Sequence, residues 1–458
     1  MTAPAAVGVG RRHLEKLATF PHAVASWVGD NGYPVQTPLT FEVDADAGTV
    51  RLDAPGVPLP EDREVNIIAS HIRPQPGTGY DERRYVSLWG RIERRERGVA
   101  FHPSRAWGWD EAETPFFEYS ERTLPQARRY FRALSEEQGR EVRPRLSRLW
   151  TVLLTTRLPF LTATIVPVLL GIAVAAYDGD FNFWLALLTM IGACAVHIGV
   201  NTTNDVFDAL SGADEANVNP TQFSGGSRVI QRGIVSLRTM ALVAAGAWLV
   251  GIIFGLLLFA MRPSAELLVI GMAGVVLGVF YTAPPLKLVH RGLGEIVTAL
   301  GFGPLMVLGA YAVQRQALSW DAFVASVPVA ILVALILYVN EIPDRHSDAR
   351  AGKRTLPVRF SKRAIATMFL CSALAAFATI VAGVVAGWLP LAALVALVAL
   401  PMVFGIHRGI REHYDRPYEL MPVMGRNIQL HLVTGLLLFA GYVIAITADA
   451  VFSGAPLS

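Results

Sequence analysis

Beyond about residue 148 the chain alternates long apolar runs with polar joints, whereas before it apolar and polar residues interleave at short range. A helix crossing a bilayer takes about 20 predominantly apolar residues. Nine runs meet or approach that length, at roughly 152–176, 182–203, 236–260, 265–282, 293–313, 320–340, 364–386, 388–406 and 428–448. The joints alternate in character. "YDGDFN", "MRPSA", "VQRQALSW" and "GWLP" are short, and their only basic residues are Arg262 and Arg315. The others carry Arg228 and Arg232, Lys287 and Arg291, then Arg345, Arg350, Lys353, Arg354, Arg359, Lys362 and Arg363, and finally Arg408, Arg411, Arg416 and Arg426. Basic joints stay in the cytoplasm. An odd number of spans then puts the N-terminus inside and the C-terminus outside. The first residues lack an apolar core followed by a cleavage pattern, which also predicts a cytoplasmic N-terminal domain.

The first 148 residues read as strands broken by turns. "HAVASWVG", "YPVQTPLTFEV", "TVRL", "NIIASHIR" and "RRYVSLWGRIER" are the strands, with "DNG" and "DADAG" as turns. A helix, "LPQARRYFRALSEEQGR", closes the domain. The expected fold is therefore a small soluble β-barrel over 1–148, followed by an all-α polytopic membrane bundle of nine transmembrane helices over 149–458.

Composition agrees. Of 458 residues 53% are hydrophobic and only 17% charged, too apolar for a simple soluble protein. The net charge of +3 gives no reason to expect nucleic acid. Cys194 and Cys371 lie in apolar runs, with neither metal spacing nor a disulfide framework.

Two acidic passages change the picture. "NTTNDVFDALSGAD" follows the second apolar run, and carboxylates so close to a bilayer are costly and usually functional. Placed on a cytoplasmic loop, Asn204, Asp205 and Asp208 share one helical face, and Asp214 follows after "SG". After the sixth run, "YVNEIPDRHSDARAGKRTL" sets Asp344 and Asp348 four residues apart, with Glu341 near that face and Lys353 and Arg354 beyond. Either passage alone reads equally well as solvated residues capping a span. Two on one side, each beside basic residues, suggest a shared site for Mg²⁺, which favours oxygen ligands and bridges to phosphate. With the cation between them, and Arg228 and Lys353 nearby, such carboxylates would hold a diphosphate and stabilise its departure.

At these residues the chain resembles the UbiA superfamily of intramembrane prenyltransferases, over about residues 150–448. "NDVFD", extended to Asp214, is similar to its first aspartate-rich motif and "DRHSD" to its second. "NVNPTQFSGGSRVIQRGIVS", "YTAPPLKLVHRGLGEI" and "DARAGKRTLPVRF" resemble the menaquinone (MenA-like) branch. The resemblance implies nine spans, and metal and diphosphate duties for Asn204, Asp205, Asp208, Asp214, Asp344 and Asp348. Asp205, Asp208, Asp344, Asp348 and Lys353 would form the catalytic set. Arg228, Lys287, Arg291 and Lys353 would meet the diphosphate. Asn201, Asn204, Tyr281 and Asn340 would touch substrate, and His197, one turn earlier, reads first as a packing residue. The stretch from Phe20 to about Arg94, through "ASWVGDNGYPVQTPLTFEV" and "DERRYVSLWGRIER", resembles the pyridoxamine-phosphate-oxidase-like split barrel. Relatives of that fold bind flavin, a deazaflavin or haem, which implies a flavin-like cofactor or else a regulatory module, with Arg73, Arg83 and Arg84 as phosphate partners or as solvated residues of the strand faces.

The implied activity is Mg²⁺-dependent transfer of a polyprenyl group from its diphosphate to an aromatic acceptor, 1,4-dihydroxy-2-naphthoate first, in the plasma membrane of a prokaryote. Alternative acceptors are a benzoquinone precursor, a sugar phosphate, a chlorophyll-like ring and glycerol phosphate. A cation-coupled transporter is the rival class. Transporters place their ionisable groups near the bilayer midplane, often on repeated halves, whereas these clusters sit at span ends. A third reading gives the function to the barrel and leaves the spans as an anchor, but nine runs with two acidic motifs exceed what anchoring needs.

Overall fold

The computed structural model describes residues 9–53, 59–75, 79–95, 98–212, 214, 217, 220–221 and 223–453. Contacts divide the chain into two units, Met1–Gln126 and Ala127–Ser458.

The first unit opens with α1 (Arg11–Leu17) and continues through β1 (Ala23–Val28), β2 (Pro34–Asp44), β3 (Thr49–Asp53), β4 (Val65–Gln75), β5 (Gly79–Arg95) and β6 (Gly98–Asp110). All pairings are antiparallel, and the order β1-β2-β3-β6-β5-β4 closes on itself as a barrel. Alternate residues point inward: Val65, Ile67 and Ala69 of β4 and Val86 and Leu88 of β5 are buried, with Leu14 and Leu17 of α1 packed on the same core. β6 is absent from the strands expected above because Pro103 interrupts it. The structure accommodates that proline where the β5–β6 register shifts beside Gly90. A Cβ at Gly90 would lie 2.1 Å from the His102 carbonyl oxygen, so the shift requires glycine. The arginines expected to meet a cofactor phosphate have partners within the barrel unit. Arg83 Nε donates to Glu111 at 3.0 Å, its guanidinium lying 4.3 Å from the Phe116 ring. Arg73 pairs with Glu82 at 2.9 Å, and Arg84 lies 5.0 Å from the Phe20 ring.

α2 (Phe116–Gln138) begins earlier than the helix expected from "LPQARRYFRALSEEQGR". The second unit is helical: α3 (Arg148–Thr156), α4 (Thr162–Tyr177), α5 (Phe183–Ser211), α6 (Leu237–Met261), α7 (Ala265–Phe280), α8 (Gly294–Arg315), α9 (Trp320–Arg350), α10 (Lys362–Val385), α11 (Leu391–His413) and α12 (Pro417–Ser453). Side chains of Asn182, Ser236, Ser264, Ser319 and Ser361 cap α5, α6, α7, α9 and α10 by accepting from backbone N–H groups.

Among the described residues, seven of these helices are long and apolar enough to cross a membrane, not the nine expected. The two shortfalls are α4 and α7. The first apolar run breaks at Arg157, which adopts φ 52° between α3 and a 3₁₀ turn, Leu158–Leu161. α7 stops at Phe280, ahead of Pro284 and Pro285, which offer no N–H to continue a helix. Many large apolar side chains on α6 face outward, Leu242, Leu249 and Ile253 among them, as lipid contact demands. α9 is the most enclosed span, and its Val333, Ile336 and Val339 are buried. The seven spans make this an integral membrane protein.

Asn201–Ser211 of the first passage and Tyr338–Arg350 of the second lie on continuous helix. α5 runs two turns beyond the apolar stretch and ends at Gly212, φ 73°. α9 continues to Arg350. The first passage is therefore not the loop expected above; hydropathy marks where a helix leaves apolar surroundings, not where it ends.

Candidate active site

On α5 the residues His197, Asn201, Asn204, Asp205 and Asp208 recur at intervals of three or four, so they climb one face. On α9 the same spacing aligns Asn340, Glu341, Asp344 and Asp348. Asp205, Asp208 and Asp348 are buried, and Asp344 is half-buried.

The segment after α5 packs over these ends, and each helix gives it one carboxylate. Asp205 Oδ1 accepts from the Ser227 backbone N–H at 3.2 Å. Asp344 accepts from Asn217 Nδ2 at 2.8 Å and from the Gly225 N–H at 3.0 Å. Gly225 and Gly226 both have φ 73°. A Cβ on Gly226 would stand 3.0 Å from Asp205 Oδ1 and 3.3 Å from both carboxylate oxygens of Asp214. Only glycine brings backbone that close in that conformation. Gln231 Nε2 donates to Asp214 at 3.0 Å, and the Arg228 guanidinium donates to the Asp214 backbone carbonyl. Burial, then the charges of Asp208 and Asp205, push the Asp214 carboxyl up to about 8.

The remaining pair faces a cation. Lys353 Nζ lies 3.5 Å from Asp208 Oδ1 and 3.8 Å from Asp348 Oδ1. Burial pulls its pKa down, but Asp208, Asp348, Asp344 and Asp214 outweigh it, and the ammonium is held above its ordinary range.

Beneath this polar roof is a cavity of about 790 Å³. Asn204, Asp208, Asp344, Asp348 and Lys353 line one end. Leu258, Leu267 and Val313, near the opposite ends of α6, α7 and α8, line the other. Asp208 and Thr189 of α5 both face it. At about 1.5 Å per residue the cavity follows roughly 28 Å of that helix, about two-thirds of its length.

Tyr281, Asn201 and Asn340 line the cavity too. Tyr281 bonds Thr298, and burial raises its phenol. Asn201 Nδ2 and Asn340 Oδ1 are buried and find no partner among the described residues. His197 Nδ1 lies 2.6 Å from Thr164 Oγ1, and its ring meets Phe302 edge-on at 4.8 Å. Lys287 and Arg291 are not brought to the cavity: both are exposed, with Arg291 3.5 Å from the Pro285 carbonyl. The 3₁₀ turn Leu288–Arg291 buries Val289 and leaves them outside. Sequence reasoning missed Asn217, Gln231 and the roof formed by Ser224–Ser227. The paired glycines of "SGGS" were the available signal.

The donors suit Mg²⁺: carboxylate and amide oxygens, with neither sulfur nor imidazole among them. Asp205 Oδ2 is buried and receives no donor from the described residues. No three acidic, histidine or cysteine side chains among those residues converge as a closed metal cage. Mg²⁺ does not need one, since it binds through one or two carboxylates with waters and phosphate oxygens.

A long apolar cavity under a carboxylate-rich roof, enclosed by membrane helices, fits an enzyme acting on a lipid chain with an anionic head. The chain belongs to the UbiA prenyltransferase family, whose model matches residues 164–446, and is a prenyltransferase. A 2-carboxy-1,4-naphthoquinone phytyltransferase of Synechocystis sp. is 28% identical over 65% of this chain and 94% of its own. A 1,4-dihydroxy-2-naphthoate octaprenyltransferase of Mycobacterium tuberculosis is 31% identical over 60% of this chain and 91% of its own. A solved structure of a UbiA homolog from Aeropyrum pernix aligns with 62% of this chain and 97% of its own, at 17% identity and a TM-score of 0.47.

Proposed function

We propose that this protein transfers a polyprenyl group from polyprenyl diphosphate to a naphthoate, 1,4-dihydroxy-2-naphthoate by preference, in the making of a menaquinone-type quinone. The observation that carries the reading is the cavity, apolar along its length and closed at one end by Asp208, Asp344, Asp348 and Lys353. The naphthoate names of the relatives support the acceptor.

In this reading the prenyl tail lies along the cavity, toward Leu258 and Val313. Burying it draws on about 0.8 kcal/mol per CH₂. Its diphosphate lies under the roof. Asn204, Asp208 and Asp348, with Asp205, Asp214 and Asp344 around them, would hold Mg²⁺, which when bound neutralises the charge gathering on the departing diphosphate. Lys353 meets the same oxygens from between Asp208 and Asp348, and Arg228 braces the loop that carries Asp214. Asn201, Tyr281 and Asn340 orient the acceptor ring beside C1 of the prenyl chain. The enclosed site keeps water from the allylic cation, and proximity does the rest.

The reading includes nine crossings, with α4 and α7 as the short ones. The acidic ends and the N-terminal barrel, of split-barrel type over 1–148, lie in the cytoplasm and the C-terminus outside, supported by the basic joints. The test is diphosphate release by the full chain in liposomes, with geranylgeranyl diphosphate and 1,4-dihydroxy-2-naphthoate. Release that needs both Mg²⁺ and the naphthoate is expected; no release with any aromatic acceptor contradicts the reading.

A further inference from the structure

One feature beside the cavity has no duty in that scheme. Glu341 is buried at 6% exposure and lines the cavity, one turn inward from Asp344 on α9. Its neighbour across the helix boundary is Glu295, in the first turn of α8, and the two carboxyls are within hydrogen-bonding reach. Glu341 Oε2 and Glu295 Oε1 are buried and receive no donor from the other described residues. Two carboxyls in contact hold one proton between them, because like charges at that distance do not both ionise. Such a pair carries one negative charge and has room for a second proton.

The groups around the pair are mostly anionic or neutral. On α9, Asp344 and Asp348 act on Glu341 as further negative charges. From the segment after α7 comes the Tyr281 phenol, already bonded to Thr298. Arg359, beyond α9, acts on Glu295 as a cation. Lys353 lies at the roof, turned to Asp208 and Asp348.

Resting on the proposed prenyl transfer to a hydroxylated ring, we infer that Glu341, backed by Glu295, accepts the proton of the acceptor's hydroxyl as the ring attacks. The O–H bond breaks and its proton passes to Glu341. The oxygen's electrons move through the ring, and a ring carbon forms a bond to C1 of the prenyl group. The C1–O bond breaks, its pair leaving on diphosphate. If the attacked carbon bears a carboxylate, CO₂ departs, the ring regains aromaticity, and the pair returns its proton to the oxygen. If it bears hydrogen, that proton passes to the departed diphosphate instead, and the pair again returns its own proton to the oxygen. The carboxyl pair thus goes from one proton to two and back, with no oxidant required.

The experiment uses the full chain in liposomes with geranylgeranyl diphosphate and a series of hydroxynaphthoates of graded phenol acidity. Glu341→Gln is expected to keep diphosphate binding and to lose about 10²-fold or more in kcat. The loss should shrink steadily for more acidic phenols, which ionise unaided, while wild type depends little on acidity. Glu295→Gln should shift the pH profile of kcat with a smaller loss. A Glu341→Gln rate within threefold of wild type, or a loss equal for every acceptor, overturns the assignment. So does loss of diphosphate binding in both Glu341→Gln and Glu341→Asp, which marks a structural pair. Transfer to no acceptor by wild type itself overturns the functional reading and this one with it.

Discussion

The ends of α5 and α9 carry the same chemistry, yet each divides its two carboxylates between different tasks. One of each pair is tied to the segment after α5: Asp205 to the Ser227 N–H, and Asp344 to the Asn217 side-chain amide and the Gly225 N–H. The other of each pair, Asp208 and Asp348, turns to Lys353. A motif of aspartates is thus not a uniform patch of charge. Two of its members hold the roof in place, and two are left to meet a cation, through which an anionic headgroup can be held. Asp344 accepts two neutral N–H groups and Asp205 one, its Oδ2 staying open, whereas a pair with one ammonium between them keeps an excess of negative charge for a further cation.

That division breaks most sharply under substitution. Asp208→Ala and Asp348→Ala should each cost about 10²–10³-fold in prenyl transfer, with melting temperature nearly unchanged. Both properties are read on one preparation, and a stability loss as large as that of the roof variants would erase the distinction. Asp344→Ala should lose activity as well, but together with about 1.5–3 kcal/mol of stability, because Asn217 and the Gly225 N–H are left without their acceptor. Denaturation of the detergent-solubilised protein measures it. Gly226→Ala tests the roof from the other side. Its positive φ and the 3.0 Å approach to Asp205 Oδ1 predict about 1–3 kcal/mol of strain and a proportionate fall in activity. The smallest effects belong to Lys287→Gln and Arg291→Gln. Lying outside the cavity, they should leave kcat and KM within about twofold of wild type, in line with surface substitutions. A tenfold rise in KM for the diphosphate would return them to the site.

Much of this was legible along the chain because apolar run length and helical spacing report local geometry. The placement of Asp208 and Asp348 on facing surfaces followed from intervals of three and four. The capping serines and Asn182 are equally local. What escaped was tertiary. The roof depends on two glycines whose left-handed conformation makes sense only with Asp205, Asp214 and Asn217 already beneath it. β6 was hidden by Pro103, tolerated solely because Gly90 opens the register opposite. The end of α5 was misjudged because its last turns are polar, yet polar residues propagate a helix well when packing holds it. Lys287 and Arg291 carried the right charge at the right place in the sequence, and the turn that buries Val289 faces them away.

The central claim is that the cavity joins a prenyl chain to a naphthoate. The mass of the product formed by the full chain with geranylgeranyl diphosphate, 1,4-dihydroxy-2-naphthoate and Mg²⁺ tests it directly. The account predicts a prenylated naphthalenediol lacking the carboxyl group, formed by wild type and absent with Asp208→Ala. Unchanged naphthoate beside free prenyl alcohol, or the same product from both proteins, would contradict it.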